Sequence, residues 1–494
     1  MIHPSQDEFR RVARPGALVP IYEEIVADLE TPVSAYIKVC EGRPYAFLLE
    51  SVERADSIGR YSFLGADASV VFRSKGNDGA IIRDGKEETF TSNDPMNELR
   101  ALMAEYEPVS VDGLPEFHGG AVGYLSYDQI RFVETLPDEN PDDLNLPDLY
   151  FMITDTILIF DHVSNTLKIV SNVHVADDPD AAYTAGVAKI AHLKKRLQAP
   201  LKVPELTKAE SPASDSPPES NFTKEEYCAI VERAKEYIRA GDVFQVVLSQ
   251  RFKRPTECTP VTLYRALRCI NPSPYMTLVQ FPDCTLVGSS PEVMTAVSGG
   301  RCRVRPIAGT RPRGKTAEED RALAEDLMAD EKERAEHIML VDLGRNDVGR
   351  VSAPGTVSPT QLMVIEKYSH VMHIVSDVEG ELADGTDAFD ALQATFPMGT
   401  VSGAPKIRAM EIIDELEPIR RGPYSGGCGY ISFSGDMDTC IVIRTIVMKD
   451  NVAYIQAGAG IVYDSVPESE YQECVNKATA LFRAIDFAEG GLEA

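Results

Sequence analysis

A proline-rich stretch divides this chain and constrains its fold more than any other single feature. Residues 199–220 contain five prolines together with several Ser, Glu and Asp residues. That composition is typical of a linker and is unfavourable inside a helix or a sheet. Because strand-like and helix-like patterns occur on both sides of it, we predict an N-terminal domain over 1–198, a linker over 199–220 and a second domain over 221–490.

Short segments rich in β-forming residues predominate in the N-terminal part. Residues 34–39 and 45–49 are predicted to be strands of a hairpin, since turn-forming residues separate them. Residues 119–127 and 151–160 add further strands, and glycines beside aromatic residues indicate closely packed sheet layers. Helical spacing of apolar residues predicts an amphipathic helix over about 180–197.

The second part opens with a helix followed by a buried strand. Thr223 and Glu226 have the spacing of a capping box, and Gly241 is a helix-ending residue. The predicted strand over 243–248 is apolar except for Gln245. An amide in such a strand is more often a hydrogen-bonded core group than a catalytic one.

Charge and cysteine content limit the classes of partner and compartment. The 494 residues include 77 acidic and 49 basic ones, a net charge of -28, so we expect no nucleic-acid and no membrane partner. No run reaches the roughly 18 apolar residues of a membrane span, and the first residues lack the apolar core of a signal peptide. Nine cysteines without paired metal spacing fit a reduced cytoplasmic protein.

Two predicted helices far apart in the sequence each carry two carboxylates three residues apart. One helix covers 332–343 after Asp330, and residues 465–468, beginning with Ser465, are predicted to cap the other. The pairs are Glu333 with Glu336, and Glu470 with Glu473. Acidic helix faces are usually solvated, but four carboxylates converging on one site would need a cation, and oxygen ligands with open water positions suit Mg²⁺.

A glycine- and arginine-rich segment lies between these features. Residues 306–315 combine Gly309 and Gly314 with Arg311 and Arg313. Glycine lets a backbone approach a ligand closely, and guanidinium groups bind carboxylates. We predict an oxyanion-binding loop here, with a basic surface turn as the alternative that composition alone leaves open.

Taken together, these motifs resemble the chorismate-utilising enzymes, and most closely the large synthase subunits of anthranilate synthases. The resemblance extends from about Leu48 to Ile485 and is densest in the second part. It implies an α+β fold, a two-sheet αββα sandwich whose N-terminal part packs on a C-terminal chorismate-binding part. It also implies that Mg²⁺ is the cofactor.

The resemblance assigns roles to residues of the second part. The implied catalytic residues are His373, Glu292 and Thr400, with Glu292 as the acid at the ring hydroxyl that leaves. The implied substrate-binding residues are Gly309, Thr310, Tyr424, Arg444, Gly458, Ala459, Gly460 and Lys477. Glu336 and Glu473 are implied as direct ligands of Mg²⁺, while Glu333 and Glu470 act through water and the ion holds the ring carboxylate.

A second site is implied for L-tryptophan as a feedback inhibitor. Its residues are Glu50, Ser51, Pro274, Tyr275 and Met276, with Glu50 positioned to meet the ammonium group. By resemblance this site is expected to be remote from the Mg²⁺, and the interface between the two domains is expected to transmit inhibition.

Two residues select among the reactions of the family. Relatives that form aminodeoxychorismate carry a nucleophilic lysine where this chain has Ala308, and water-activating relatives carry a lysine where it has Gln245. The resemblance therefore implies that ammonia adds at C2 and that pyruvate is lost, giving anthranilate in the first step of tryptophan biosynthesis. No glutaminase sequence follows Cys428, so a separate glutamine amidotransferase subunit is expected in a hetero-oligomer.

Three alternatives remain open. The chain could form aminodeoxyisochorismate without losing pyruvate, or it could form aminodeoxychorismate. From a different class, it could be a non-catalytic tryptophan-sensing subunit. The intact Glu336, Glu473, His373 and Arg444 weigh against that last alternative.

Overall fold

The computed structural model describes residues 1–51, 59–202, 218–368 and 371–493, so most of the predicted linker lies outside the described residues. The helices are α1 (Gln6–Val12), α2 (Pro32–Val39), α3 (Pro95–Ala104), α4 (Pro179–Leu197), α5 (Lys224–Ala240), α6 (Pro260–Ile270), α7 (Ala317–Ala329), α8 (Glu331–Gly349), α9 (Ala388–Thr395), α10 (Lys406–Leu416) and α11 (Pro467–Glu489). Short 3-10 helices cover Tyr127–Phe132 and Gly399–Val401.

The strands of the first half are β1 (Ile2–His3), β2 (Ala17–Val26), β3 (Ala46–Glu50), β4 (Tyr61–Ala66), β5 (Val70–Lys75), β6 (Asp78–Arg83), β7 (Lys86–Thr91), β8 (Glu107–Pro108), β9 (Gly120–Leu125), β10 (Leu149–Thr154), β11 (Thr156–Asp161) and β12 (Thr166–His174). Those of the second half are β13 (Glu219–Ser220), β14 (Gln245–Pro255), β15 (Tyr275–Gln280), β16 (Thr285–Ser290), β17 (Val293–Ser298), β18 (Arg301–Val304), β19 (Ile307–Pro312), β20 (Ser358–Lys367), β21 (Val371–Glu381), β22 (Gly403–Ala404), β23 (Gly427–Ser432), β24 (Met437–Ile441), β25 (Thr445–Lys449) and β26 (Val452–Ile461).

These strands form two large sheets, and each sheet takes strands from both halves of the chain. The first runs β1-β2-β12-β11-β4-β3-β15-β16-β25-β26-β14-β13, and the second runs β19-β21-β18-β17-β24-β23-β9-β10-β5-β6-β7. The halves join where β3 pairs with β15 and where β9 pairs with β23, both antiparallel. The linker therefore separates two stretches of sequence that share both sheets.

The three largest clusters of buried apolar side chains form successive layers, which is the predicted αββα arrangement. One cluster packs between the two sheets and includes Phe47 of β3, Tyr150 of β10 and Leu286 of β16. A second lies under α4, α5, α6 and α11 on the outer face of the first sheet, and a third lies under α3, α8 and α9 on the second. Within the described residues, no helix is both long enough and apolar enough to cross a membrane.

The predicted hairpin over 34–49 is wrong in its first strand. Residues 34–39 belong to helix α2, because Thr31 and Ser34 form a capping box and Pro32 occupies the first helical turn. Local capping outweighs the β-branched content of this segment. Residues 46–50 do form the strand β3.

The helices that carry the paired carboxylates begin close to where the sequence places them. The Asp330 side chain accepts hydrogen bonds from the first turn of α8, at the backbone of Lys332 and Glu333. Helix α11 begins after Val466 without a side-chain cap, so Ser465 is not the capping residue. The Ser465 hydroxyl instead accepts a bond from the Val462 backbone at 3.0 Å.

Candidate active site

A cavity of about 250 Å³ lies where β14, β19, β21 and β26 meet helix α11. It gathers most of the predicted site residues, although they are widely separated in sequence. Those that line it are Glu292, Thr310, His373, Thr400, Tyr424, Arg444, Gly458, Gly460, Glu473 and Lys477. An open depression of about 490 Å³ along α11 shares Arg444, Glu473 and Lys477 with the cavity and connects it to the surface.

The other predicted site residues lie outside the lining. Ala459 is fully buried, since alternate residues of β26 point to opposite faces. Gly309 contributes its carbonyl to the neighbouring His373. Glu333, Glu336 and Glu470 lie on α8 and α11 beyond the cavity wall.

Glu292 is a buried carboxyl group on the cavity wall. Its burial raises the pKa to about 8, while a hydrogen bond from Thr400 and the charge of Lys477 oppose the rise. The Thr400 hydroxyl donates to Oε1 of Glu292 at 2.8 Å. A carboxyl group with this pKa retains a transferable proton near neutral pH.

His373 lies opposite on β21 with its ring orientation set by hydrogen bonding. The ring Nδ1 is 3.0 Å from the Gly309 carbonyl oxygen, which can only accept. Nδ1 therefore carries the proton and Nε2 keeps its lone pair. Burial and the nearby Arg444 charge lower the pKa of His373, although the Gly309 bond acts against them, so the neutral ring predominates at neutral pH.

Two cations stand at the inner end of the depression. Burial lowers the pKa of the Arg444 guanidinium, although the charge of Glu473 acts against it. The Lys477 ammonium pairs with Glu473 at 2.7 Å and donates to the Gly458 carbonyl at 2.7 Å. A desolvated guanidinium is well suited to a planar carboxylate.

Close backbone approach explains the glycine at position 458. A Cβ atom there would lie 2.8 Å from the Tyr424 hydroxyl and 2.8 Å from the Leu248 carbonyl oxygen. Gly458 pairs with Ser249 of β14, which holds this part of β26 against the Tyr424 turn. Any side chain at this position would displace Tyr424 from the cavity.

Of the paired carboxylates of α8 and α11, Glu333, Glu336 and Glu470 are partly buried and Glu473 is exposed. Burial and the charge of Glu336 raise the pKa of Glu333, and burial and the charge of Glu473 raise that of Glu470. Glu336 accepts a hydrogen bond from Gln245 Nε2 at 3.0 Å. In the described part of the chain, no three or more His, Cys, Asp or Glu residues lie close enough together to hold a metal ion.

The predicted oxyanion-binding loop over 306–315 is a different structure. Residues Ile307–Pro312 form the strand β19, of which Ile307, Ala308 and Thr310 line the cavity. Nearby acidic residues bind the guanidinium groups: Arg311 pairs with Asp326, Asp330 and Glu333, and Arg313 pairs with Asp320. Arg311 and Arg313 therefore do not line the cavity, and binding of an oxyanion by this segment stays a prediction.

Sequence reasoning missed several residues of the cavity wall, among them Gln456 and Leu481. Gln456 donates to the Ser249 hydroxyl at 2.8 Å, while its Oε1 is buried without a partner in the described residues. Leu481 supplies an apolar part of the wall from α11. A single amide inside the apolar pattern of β26 was the one available signal for Gln456.

A second cavity, of about 550 Å³, contains all five residues predicted for the inhibitor. Glu50, Ser51, Pro274, Tyr275 and Met276 line it, and residues that the sequence analysis did not include, such as Arg303 and Tyr430, complete it. The Glu50 carboxylate is held by Tyr264 at 2.5 Å and Arg268 at 3.2 Å. The Ser51 hydroxyl is buried and has no hydrogen-bond partner in the described residues.

The two cavities lie on either side of one segment, whereas the expected remoteness of the inhibitor site from the Mg²⁺ stays a prediction. Pro291 lines both of them. Tyr275 pairs in register with Ser290, so the wall of the larger cavity leads directly into the turn that carries Glu292. Neighbouring strands β15 and β16 produce this arrangement.

Comparison with known proteins gives concordant results. The family described as chorismate binding enzyme matches residues 49–483. Anthranilate synthase component 1 of Acetivibrio thermocellus is 47% identical, covering 99% of both chains, and that of Thermus thermophilus is 50% identical, covering 96% of this chain and 99% of its own. The crystal structure of anthranilate synthase component I from Streptococcus pneumoniae is 37% identical with a TM-score of 0.73, covering 93% of this chain and 99% of that one.

Proposed function

The chain belongs to the family of chorismate-binding enzymes, and from this premise we propose that it converts chorismate and ammonia to anthranilate and pyruvate, a step of tryptophan biosynthesis. The observation that carries the proposal is the composition of the 250 Å³ cavity. It combines a protonated carboxyl group, a neutral imidazole and two cations, which are the groups that this reaction needs.

Binding of the substrate falls to the cations and to β26. Chorismate is a dianion, and the desolvated Arg444 is proposed to pair with its enolpyruvyl carboxylate. Lys477 adds positive charge on the same side, beside Gly458 and Gly460. The two glycines let β26 pass close to the Tyr424 hydroxyl and the Gln245 amide, where a Cβ atom would collide.

The first half-reaction replaces the ring hydroxyl by an amine at another carbon. Glu292 donates its proton to the 4-hydroxyl as the C4–O bond breaks, so that water leaves. Ammonia forms the new C–N bond at C2, the ring double bonds shift, and the extra proton on nitrogen is released. Thr400 holds Glu292 in position through its 2.8 Å hydrogen bond.

Ammonia, rather than water or a protein amine, is the nucleophile. Ala308 lines the cavity and has no group that could attack the ring. Gln245 cannot take a proton from water at neutral pH, and its amide is bonded to Glu336. Neither residue offers the basic nitrogen that the alternative reactions require.

The second half-reaction removes pyruvate and makes the ring aromatic. The Nε2 lone pair of His373 takes the proton from C2, the C3–O bond breaks, and enolpyruvate leaves and becomes pyruvate on protonation. A neutral imidazole is the form that can accept this proton, and the lowered pKa of His373 maintains it.

Enzymes of this family depend on a metal ion, and the residues of α8 and α11 fit Mg²⁺. Mg²⁺ commonly takes one or two carboxylates and completes its shell with water and substrate oxygens, so Glu336 and Glu473 suffice as direct ligands without a cluster of three. Glu333 and Glu470, with pKa values raised by burial and by their carboxylate neighbours, would act through water. When bound, the ion would hold the ring carboxylate and offset these negative charges.

A separate glutamine amidotransferase subunit is proposed as the source of ammonia. A glutaminase needs a reactive thiolate, whereas burial raises the pKa of eight of the nine cysteines, that of Cys428 to about 12. The open depression along α11 offers ammonia a route to the cavity. The assembly is therefore proposed to be a hetero-oligomer.

L-Tryptophan is proposed to bind in the 550 Å³ cavity as an inhibitor. Its ammonium group would meet Glu50, its carboxylate would accept from the Ser51 hydroxyl, and the indole would lie against Tyr275. Because Pro291 lines both cavities, a ligand here would press on the turn that carries Glu292. This shared wall couples the sites more directly than a movement of two domains.

The test is to incubate the purified chain with chorismate, Mg²⁺ and an ammonium salt. Anthranilate is read by its fluorescence and pyruvate by a coupled assay, and equal amounts of both are expected. Amine formation without pyruvate would instead identify an aminodeoxyisochorismate or aminodeoxychorismate synthase. Binding of tryptophan without any turnover would identify a sensing subunit.

A further inference from the structure

Arg421 is an arginine buried behind the cavity, and every N–H of its guanidinium donates a hydrogen bond. It is 2% exposed and follows α10 in the chain. Its acceptors are Oε2 of Glu417 at 2.9 Å, Oε1 of Glu417 at 2.6 Å, the Val247 carbonyl at 2.7 Å, the Val401 carbonyl at 2.7 Å and the Ser425 hydroxyl at 3.2 Å.

Three of these acceptors belong to different walls of the cavity. Val247 lines it from β14, and Val401 lines it from the turn that carries Thr400. Ser425 follows Tyr424, whose ring centroid lies 5.6 Å from the guanidinium carbon of Arg421. One side chain thus joins the β14 wall, the Thr400 turn and the Tyr424 turn.

Its partner Glu417 secures a fourth connection. Glu417 Oε1 accepts from the backbone N–H of Ser249 at 2.7 Å and from its hydroxyl at 2.9 Å. Ser249 pairs with Gly458 of β26, which also lines the cavity. The ion pair therefore joins four parts of the wall: β14, β26, the Thr400 turn and the Tyr424 turn.

Stability alone is a weak reason for such a pair. The desolvation free energy of two buried charges offsets much of their attraction. Apolar side chains of similar volume often stabilise a protein equally well. A guanidinium, however, places several hydrogen bonds in fixed directions. This geometry suits the task of holding separate chain segments at set distances.

We propose that Arg421, fixed by Glu417, is a positioning residue that holds Thr400, Tyr424 and the β14 wall in the arrangement the reaction needs. The inference rests on the proposed function, since it concerns the same cavity. Arg421 touches no reacting atom, and it acts through the Val401 carbonyl on the adjacent Thr400 and thereby on Glu292.

The first test is Arg421→Lys, compared with Arg254→Lys as a matched control. Lysine keeps the charge beside Glu417, but its single ammonium cannot reach Glu417 and both carbonyls. Arg254 is also buried and ion-paired, with Asp486 at 2.8 Å, but does not line the cavity. Ammonia-dependent kcat and chorismate KM are measured across pH, with the melting temperature of each variant.

For Arg421→Lys we expect kcat to fall on the order of 100-fold with little change in KM, because a displacement of about 1 Å at a reacting group has this effect. The decrease of kcat at alkaline pH should move to higher pH. The hydrogen bond from Thr400 lowers the pKa of Glu292, so losing that bond raises this pKa. The other charged or titratable groups that line that cavity, His373, Tyr424, Arg444, Glu473 and Lys477, are not themselves substituted. Arg254→Lys should lower only the melting temperature.

Parent-like kcat and an unmoved alkaline limb in Arg421→Lys would overturn the proposal, as would equal kinetic losses in the two arginine variants. If Arg421→Lys does not fold, Glu417→Asp replaces it, because the shorter carboxylate draws Arg421 back from the carbonyls while both charges remain. The same loss of kcat and shift of the limb are then expected, and parent-like kinetics would refute the inference. Failure of the parent to form anthranilate refutes the proposed function instead.

Discussion

At the scale of single residues, the surroundings of Glu292 determine the pH range of the reaction. Burial raises its pKa to about 8, and only the protonated carboxyl group can donate. We therefore expect kcat to fall as the pH rises through about 8, with free ammonia held constant. Glu292→Gln should lower kcat roughly 10²- to 10⁴-fold and abolish this limb. A parent profile that stays flat through this range would contradict the assignment.

His373 is expected to serve the second half-reaction more than the first. His373→Ala removes the Nε2 lone pair that takes the C2 proton, while Glu292 and Thr400 remain in place. Aminodeoxyisochorismate should accumulate, with pyruvate release lowered on the order of 100-fold or more. Chromatography of the products provides the measurement. Equal loss of amine addition and pyruvate release, without the intermediate, would argue for a structural role.

At the scale of elements, helices α8 and α11 each supply one proposed metal ligand. Glu336→Gln and Glu473→Gln should each lower activity by about 100-fold or more. Substituting a residue that only supports a metal ligand already lowers metal affinity or activity by about 10- to 100-fold. Glu468→Gln, at an exposed position of α11, is the control and should keep parent activity. Activity is titrated against Mg²⁺, and an unchanged Mg²⁺ dependence in both ligand variants would exclude these carboxylates as ligands.

The turn between β16 and β17 separates the two cavities. Tryptophan bound in the larger cavity should therefore press on this turn. Ser51→Phe should fill that cavity. The tryptophan concentration for half-inhibition should then rise by at least about tenfold, which corresponds to a loss of about 1.4 kcal/mol of binding free energy. Ser358→Phe, at an exposed serine of β20, is the control. Inhibition is expressed relative to each variant's own activity without tryptophan. Parent-like sensitivity in Ser51→Phe would place the inhibitor elsewhere.

At the scale of the whole molecule, the chain should depend on an outside source of ammonia. With chorismate and Mg²⁺, ammonium salts should support anthranilate formation and glutamine alone should not, because burial raises the pKa of Cys428 and of most other cysteines. Adding a glutaminase subunit from a relative should restore the use of glutamine. Glutamine-dependent activity of the purified chain alone would disprove the need for a partner.

Features that depend on neighbours in sequence could be predicted from the sequence, except where two local signals favour different structures. The capping residue Asp330, the three-residue spacing of Glu333 with Glu336 and the amide at Gln245 all required only local periodicity and residue type. The error over residues 34–39 was also local, since a capping box outweighed β propensity. Resemblance to a family supplied the roles, which no local pattern carries.

Only the tertiary structure decided which long-range partner each side chain meets. Arg311 and Arg444 are alike in type, yet the first is bound by acidic residues near α7 and α8 while the second lines the cavity. Pairing of β3 with β15 and of β15 with β16 brought the two cavities together at Pro291. The charge and the hydrogen-bonding capacity of a side chain follow from its residue type. Which partner it meets is set by the pairing of strands that lie hundreds of residues apart in the sequence.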